Sequence, residues 1–114
     1  MSDKVLWPFG AADVVSPVFA VNISVDVENT LTIVKMPVLT AATNIDLVID
    51  SEIRVGAMLI VQADQGATGR NVAFGTNIIG DDLVGVANDK DTVTMVYDGS
   101  MFRITSKEKT VDAA

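Results

Sequence analysis

The chain contains few side chains that could carry out chemistry, because its 114 residues include neither cysteine nor histidine. Thiolate nucleophiles, Ser-His-Asp and Cys-His catalytic arrangements, and cysteine-based zinc or iron–sulfur sites are therefore excluded. Carboxylates, lysines and the single tyrosine remain for acid–base chemistry, and a metal ion would have to be a hard cation bound by oxygen. We expect no catalytic residue, no metal and no cofactor in this protein.

Acidic side chains are the most abundant of the remaining groups, 15 against 8 basic ones. Residues 80–82 (GDD) contain adjacent carboxylates, which point to opposite sides of an extended chain and do not converge on one ion. Asn88, Asp89 and Asp91 offer oxygen ligands for calcium, but the Gly and Glu positions of an EF-hand are missing. We interpret these three residues as an acidic turn between strands. The number of acidic residues does not test for the two catalytic carboxylates of a glycosidase, because these are defined by their distance in space.

Residues 66–71 (GATGRN) look superficially like a phosphate-binding loop. A P-loop needs two glycines five positions apart, then a lysine and a Ser or Thr at the start of a helix. Here no lysine follows, and the next residues are typical of a strand. We interpret the segment as a structural β-turn, with Arg70 at a surface or subunit contact.

The formal net charge of −7 makes the surface repel phosphate, so we expect no nucleic-acid partner. The longest run without a charge, residues 14–25, has 12 residues, whereas a membrane-spanning helix needs about 20. The apolar stretch at the start is short and is broken by Pro8, unlike a signal peptide. We therefore expect an intact soluble product that has no membrane partner.

The composition favours strands over helices. Val, Ile and Thr together number 37, against 6 Leu and 3 Glu, and β-branched residues suit pleated strands. Turn signals recur at the intervals typical of small sandwiches and barrels. We predict an all-β fold, a small antiparallel β-sandwich or, as the alternative, a β-barrel, with about seven to nine short strands.

Three regions follow from this pattern: an extended N-terminal arm (1–17), a β domain (18–106) and a polar C-terminal tail (107–114). The arm holds two of the three prolines and the only tryptophan. Its apolar side chains, among them Trp7, Pro8 and Phe9, must be buried against something. The arm either covers the open end of its own domain or docks on a partner.

Several strands can be assigned within the β domain. Residues 19–27 alternate between apolar and polar side chains, and residues 30–34 are predicted as the return strand of a hairpin, with Leu31 and Ile33 facing inwards. Residues 58–63 are apolar on both faces except for Gln62, which predicts a central strand that is buried on both sides or meets another chain. Residues 92–105 are predicted as a hairpin with Asp98 and Gly99 at its tip, both at positive φ.

Hydrophobic residues make up 49% of the chain, while a domain of this size buries only about two thirds of its unfolded surface. Some apolar surface therefore needs a partner. We expect a stable homo-oligomer whose interface includes Met58, Ile60 and Arg70.

Two segments resemble parts of known proteins. Residues 93–106 (VTMVYDGSMFRITS) look like the closing β-hairpin of small β domains in bacteriophage structural proteins. Residues 66–75 (GATGRNVAFG) are similar to loops in phage fibre and head-decoration domains. Together they cover about a fifth of the chain.

This resemblance implies a structural protein of the virion, made in the host cytoplasm and located on the capsid surface. Its partners would be further copies of itself, commonly in a trimer, and the major capsid protein or another virion protein. The arm around Trp7, Pro8 and Phe9 would make the attachment. No shaft repeat or coiled-coil heptad is present, which favours a compact capsid decoration or head-fibre protein over a long fibre.

An alternative function is a carbohydrate- or receptor-binding module of a phage tail or fibre. Such a module needs an exposed aromatic platform. Only Tyr97 and Phe102, near the last hairpin, are candidates for it.

Overall fold

The structure, a computed structural model, describes residues 13–111. Nine strands and no helix lie in this range, so the all-β prediction and the expected number of strands are confirmed. The strands are β1 (Asp13–Val15), β2 (Asn22–Val27), β3 (Leu31–Lys35), β4 (Thr43–Ile49), β5 (Met58–Asp64), β6 (Val72–Phe74), β7 (Ile78–Ile79), β8 (Asp89–Tyr97) and β9 (Phe102–Val111).

The strands form two sheets, between which the chain alternates. The large sheet has six strands in the order β1-β3-β5-β8-β9-β7, and the small sheet has three in the order β2-β4-β6. Through the first six strands, each new strand lies parallel to the previous strand of its own sheet. Such a path is the coil of a short parallel β-helix.

A hairpin extends the large sheet beyond this coil. β8 pairs antiparallel with β5 and with β9, and β7 lies parallel to β9 at the far edge. The prediction of an antiparallel architecture is therefore correct only for β5, β8 and β9. It is wrong elsewhere because alternation along a strand shows which side chains face the core and not which strand lies beside it.

One hydrophobic core lies between the inner faces of the two sheets. Every second residue of β2 is buried, and these side chains meet those of the large sheet, in agreement with the alternation in the sequence. Phe102, at the start of β9, is fully buried in the same core. The core includes Ile23, Val25, Val27, Ile45 and Leu47 from the small sheet and Val34, Leu59, Val61, Val93 and Met95 from the large sheet.

The predicted hairpin of residues 19–27 and 30–34 is wrong. Residues 28–30 carry the chain from the small sheet to the large one, so β2 and β3 do not pair. Because β3 begins in the other sheet, its inward side chains are Thr32 and Val34, both fully buried. Leu31 and Ile33, which were expected inside, are half-buried on the outer face.

The sheets extend beyond the predicted domain boundaries at both ends. β1 pairs with β3, so residues 13–15 belong to the large sheet and not to an arm. β9 continues through Val111 because β8 provides backbone partners as far back as Asp89, and residues 107–111 are strand where a tail was expected. Trp7, Pro8 and Phe9 lie outside the described residues.

The last hairpin is confirmed, with its tip one residue later than predicted. Asp98 N donates to Met101 O, which leaves Gly99 and Ser100 at the tip. Gly99 has a φ of 102°, whereas Asp98 is not at positive φ. Asp98 Oδ1 instead accepts hydrogen bonds from the backbone amides of Ser100 and Met101, each at 2.8 Å. The aspartate therefore closes the turn with its side chain.

Candidate functional site

The outer face of the large sheet carries a continuous group of apolar side chains. Directly paired residues of neighbouring strands place their side chains on the same face, and two rows follow from the strand register. The first row is Val14, Ile33 and Ile60, and the second is Leu31, Met58 and Val96. We call these six residues the outer-face patch.

The patch is partly open to solvent in the single chain. Val14 is 54% exposed and Met58 is 37% exposed, and the other four side chains are half-buried. A polar row follows it along the strands, and an ion pair between Arg103 and Asp98 lies beside Val96. An apolar centre with a polar rim is the usual anatomy of a protein–protein interface. The polar row is Lys35, Gln62, Thr92 and Glu108.

The outer face of the small sheet is different. Asn22, Ser24 and Asp26 of β2 are exposed there, and Asn44 and Asp46 of β4 lie beside them in register. Val48 of β4, which is 55% exposed, lies on the same face beside Asp26. Five of these six side chains are polar, so the larger apolar group is on the outer face of the large sheet, which contains β5.

Met58 and Ile60, two of the three residues predicted for a subunit interface, lie at the centre of the outer-face patch. The structure does not bring Arg70 to them, because Arg70 lies in the loop between β5 and β6. There Gln65 holds its backbone: Arg70 N donates to Gln65 Oε1 at 2.8 Å, and Gln65 Nε2 donates to Arg70 O at 3.1 Å.

Sequence reasoning missed the other four members of the patch: Val14, Leu31, Ile33 and Val96. The available signal was in residues 31–34 (LTIV), where apolar residues occupy both phases of the alternation. Such a run, like that of residues 58–63, is typical of a strand with two apolar faces.

Residues 66–71 form a structural loop that packs on residues 83–86. A Cβ added to Gly69 would lie 2.5 Å from Gly85 O, and one added to Gly85 would overlap the backbone of Arg70. Val72 and Leu83 exchange two backbone hydrogen bonds of 2.9 and 2.8 Å just beyond. The two segments therefore touch through their backbones, which explains the glycines without a phosphate.

Asp89 and Asp91 are buried in β8 and do not form the acidic turn that was predicted. Their side chains, 2% and 0% exposed, point into the core side of the large sheet. Lys109 Nζ lies 3.3 Å from Oδ2 of each and donates to Val84 O at 2.7 Å. The lysine thus joins β9, β8 and the 82–86 loop.

The carboxylate of Asp91 lies in surroundings that disfavour its charged form. Burial raises the pKa of Asp91, against the opposing effect of the Lys109 ammonium. Oδ1 of Asp89 and Oδ1 of Asp91 have no hydrogen-bond partner among the described residues. Residues 13–111 contain no group of three or more acidic side chains arranged around a common point. Lys109 is the counter-ion of the pair, which indicates a structural role.

A polar groove of about 510 Å³ lies where the chain passes from the small sheet to the large one. Glu28, Asp50, Glu52 and Arg54 contribute its charges, and no aromatic side chain lines it. The aromatic pair considered for sugar binding lies elsewhere: the Tyr97 and Phe102 rings are 5.1 Å apart, and Phe102 is fully buried. Neither ring forms an exposed platform.

No protein-family model matches the chain. No curated protein matches it either. Among residues 13–111, no helix has the length and apolar character needed to cross a membrane.

Proposed function

We propose that this chain is a non-enzymatic structural protein of a bacteriophage virion, a capsid decoration or head-fibre protein that forms a homotrimer and attaches to the capsid by its N-terminal arm. The observation that carries the proposal is the outer-face patch. A protein that works by assembly needs a contiguous apolar surface with a polar rim, and this chain has one on a rigid sheet.

Self-association explains the patch in physical terms. Removing apolar surface from water contributes about 25 cal/mol per Å², and contiguous apolar patches on monomers are usually functional. In a closed trimer, one part of the patch on each copy contacts a different part of the patch on the next copy, so that the three patches meet around the three-fold axis. A trimer also multiplies the weak contacts of three arms into avidity for a larger shell.

The virion assignment is supported by the resemblance of residues 66–75 and 93–106 to parts of phage structural proteins. In the fold these segments are a loop held by backbone contacts and a hairpin whose register shifts between Thr94 and Met95. The proposed anchor is Trp7, Pro8 and Phe9, which precede β1 at the edge of the large sheet. The proposed partner is the major capsid protein or another protein of the capsid surface.

The anchor is tested by co-sedimentation with capsids of the virus that encodes the protein. The variant Trp7→Ala/Phe9→Ala should lose attachment while its circular dichroism and native mass remain those of the wild type. Val55→Ala is the matched control, because Val55 is 71% exposed and lies far along the chain from the arm. A double variant that binds capsids with wild-type occupancy would contradict the proposed anchor.

A second candidate function is carbohydrate or receptor binding, and the polar groove is the observation that favours it. Its volume falls in the range of small-ligand sites, and Glu28, Asp50 and Arg54 offer hydrogen bonds to hydroxyl groups. A glycan array tests it, with Arg54→Ala as the variant that should lose any signal. An array without binding, or binding unaffected by Arg54→Ala, counts against this function.

A further inference from the structure

The two edge strands of the small sheet, β6 and β2, differ in their backbone pairing. At the side of β6, Val72 exchanges two backbone hydrogen bonds with Leu83, which continues the pairing beyond the strand. At the side of β2, no strand of residues 13–111 lies beyond β2. Within the described chain, β2 is therefore a free edge over a buried core.

The free edge presents a defined set of backbone groups. Asn44 N donates to Val21 O at 2.8 Å, and Asp50 N donates to Val27 O at 3.0 Å. In a parallel pair, alternate residues direct both their N–H and their C=O to the same neighbour. The odd-numbered residues of β2 therefore bond to β4, and Asn22, Ser24 and Asp26 direct theirs to the free edge. Such an edge is a template for an extended segment.

The path of the coil indicates which segment would reach this edge. Each strand of the small sheet is followed by a strand of the large sheet, after three residues between β2 and β3 and after eight between β4 and β5. β1 begins at Asp13, so a small-sheet strand before it would end between residues 4 and 9. Residues 4–9 read KVLWPF.

The sheet also has a consistent backbone orientation. Core-facing residues direct their N–H and C=O to the following strand, as Ile45 O does when it accepts from Gly75 N at 2.9 Å. Outward-facing residues direct theirs to the preceding strand, as Asn44 does toward Val21. A strand before β2 whose core-facing residue is Trp7 would have Pro8 directed away from β2. Proline is tolerated at an edge where no N–H is needed.

We propose that, in the free protein, residues 3–9 add to the edge of β2 as a parallel strand that completes the first coil. Val5, Trp7 and Phe9 share one phase of the alternation, and this phase covers the core beside Ile23 and Val25. The occupant is the chain's own segment. The inference goes beyond the proposed function, because it concerns the free protein and holds whether or not the arm later meets a capsid.

Trp7 is the only tryptophan in the chain, so its fluorescence reports on this segment alone. We expect a blue-shifted emission that is protected from acrylamide and independent of protein concentration. Ser24→Pro removes an N–H that is directed to the free edge without removing a bond to β4, and it should red-shift the emission and increase quenching. Ser24→Ala keeps the N–H and is the matched control, expected to behave as the wild type.

Amide hydrogen exchange of the full-length wild type provides a readout that does not depend on the proline variant folding. The amides of Ser24 and Asp26 should be protected to a degree comparable with that of Val25, whose N–H is directed toward β4. Free exchange at Ser24 and Asp26 beside a protected Val25 would overturn the proposal.

Three fluorescence results would also overturn it: a wild-type emission as exposed as that of a peptide of residues 1–12, a protection that disappears on dilution, or equal effects of Ser24→Pro and Ser24→Ala. Dilution sensitivity would identify a second copy as the occupant. Capsid attachment enters none of these measurements, so the failure of this inference and the failure of the proposed anchor are separate observations.

Discussion

Lys109 Nζ lies 3.3 Å from Oδ2 of Asp91, a carboxylate with no exposed side-chain surface. The same ammonium is 3.3 Å from Asp89 Oδ2, so one positive charge serves two buried acids. The contact links β9 to β8 within residues 107–114, which were predicted to be a polar tail.

Replacing Lys109 by methionine should destabilise the fold. Removing one partner of a buried ion pair leaves an uncompensated charge, which costs about 3–5 kcal/mol. Since the Lys109 side chain is 35% exposed, solvent screening reduces this, and we expect a loss of about 2 kcal/mol in the free energy of unfolding by urea. Lys107→Met is the control, because within residues 13–111 the hydrogen bond of Lys107 Nζ is to the exposed carbonyl of Asp82, at 3.1 Å. Equal urea midpoints for the two variants would contradict the structural role of Lys109.

Stability should respond to the titration of Asp91 in the direction set by its burial. A raised pKa means that the folded state holds the proton more tightly than the unfolded state, for which the value is 3.8. This group therefore increases the free energy of unfolding as the pH falls from above the raised pKa toward 3.8. Asp91→Asn should lack that increase in urea titrations. A carboxyl ¹³C midpoint for Asp91 at or below 3.8 would show the opposite sign.

Asp98 should titrate in the opposite direction. The backbone amide of Met101, the Arg103 side chain and the amide of Ser100 all stabilise its charged form and lower its pKa to about 2. Its contribution to stability is present above 3.8 and is lost as the pH falls through about 2. We expect a carboxyl ¹³C midpoint near 2 in the wild type, rising in Arg103→Gln. A midpoint near 3.8 in the wild type would contradict the turn geometry.

The contact between the two loops predicts a difference between glycines. In Gly85→Ala, the new Cβ would overlap the backbone of Arg70, so the loops must separate. Overpacking of this kind costs about 1–3 kcal/mol, which thermal unfolding would detect. In Gly66→Ala, the Cβ would meet Val38 Cγ1 at an ordinary 3.6 Å, and we expect little change. Equal melting temperatures for Gly85→Ala and the wild type would show that the loops do not touch as described.

Local strand signals were readable from the sequence, and strand partners were not. The alternation appears in the fold over residues 22–27, and the hairpin around Gly99 is also present, because each depends on nearby residues. Residues 19–21 precede β2, and Val21 is 63% exposed. The assignment of β3 as a hairpin partner of β2 failed, since three residues suffice either to reverse the chain or to carry it to another sheet. Successive coils also differ in length: Asn22 pairs with Asn44, whereas Thr43 pairs with Val72. An irregular coil leaves no repeat in the sequence.

The candidate site was predictable where one strand was apolar on both faces, and only there. Met58 and Ile60 carried that signal, and the register places them at the centre of the patch. Val14 and Val96 belong to the patch only because strands that are distant in sequence pair with each other, and this pairing was not predictable. Asp89 and Asp91 misled for a related reason: aspartate is common in turns, and only the position of Lys109 on the adjacent strand explains their burial.

The native mass of the full-length chain tests the central claim, assembly through the outer-face patch, most directly. Light scattering coupled to size exclusion should give three times the 12.0 kDa chain mass. Ile60→Lys should reduce it to one chain with unchanged circular dichroism, because a lysine in the apolar centre would be buried without a partner. Ser24→Lys, on the polar outer face of the small sheet, should keep the trimer. A wild-type monomer, or an Ile60→Lys variant that remains trimeric, would contradict the account.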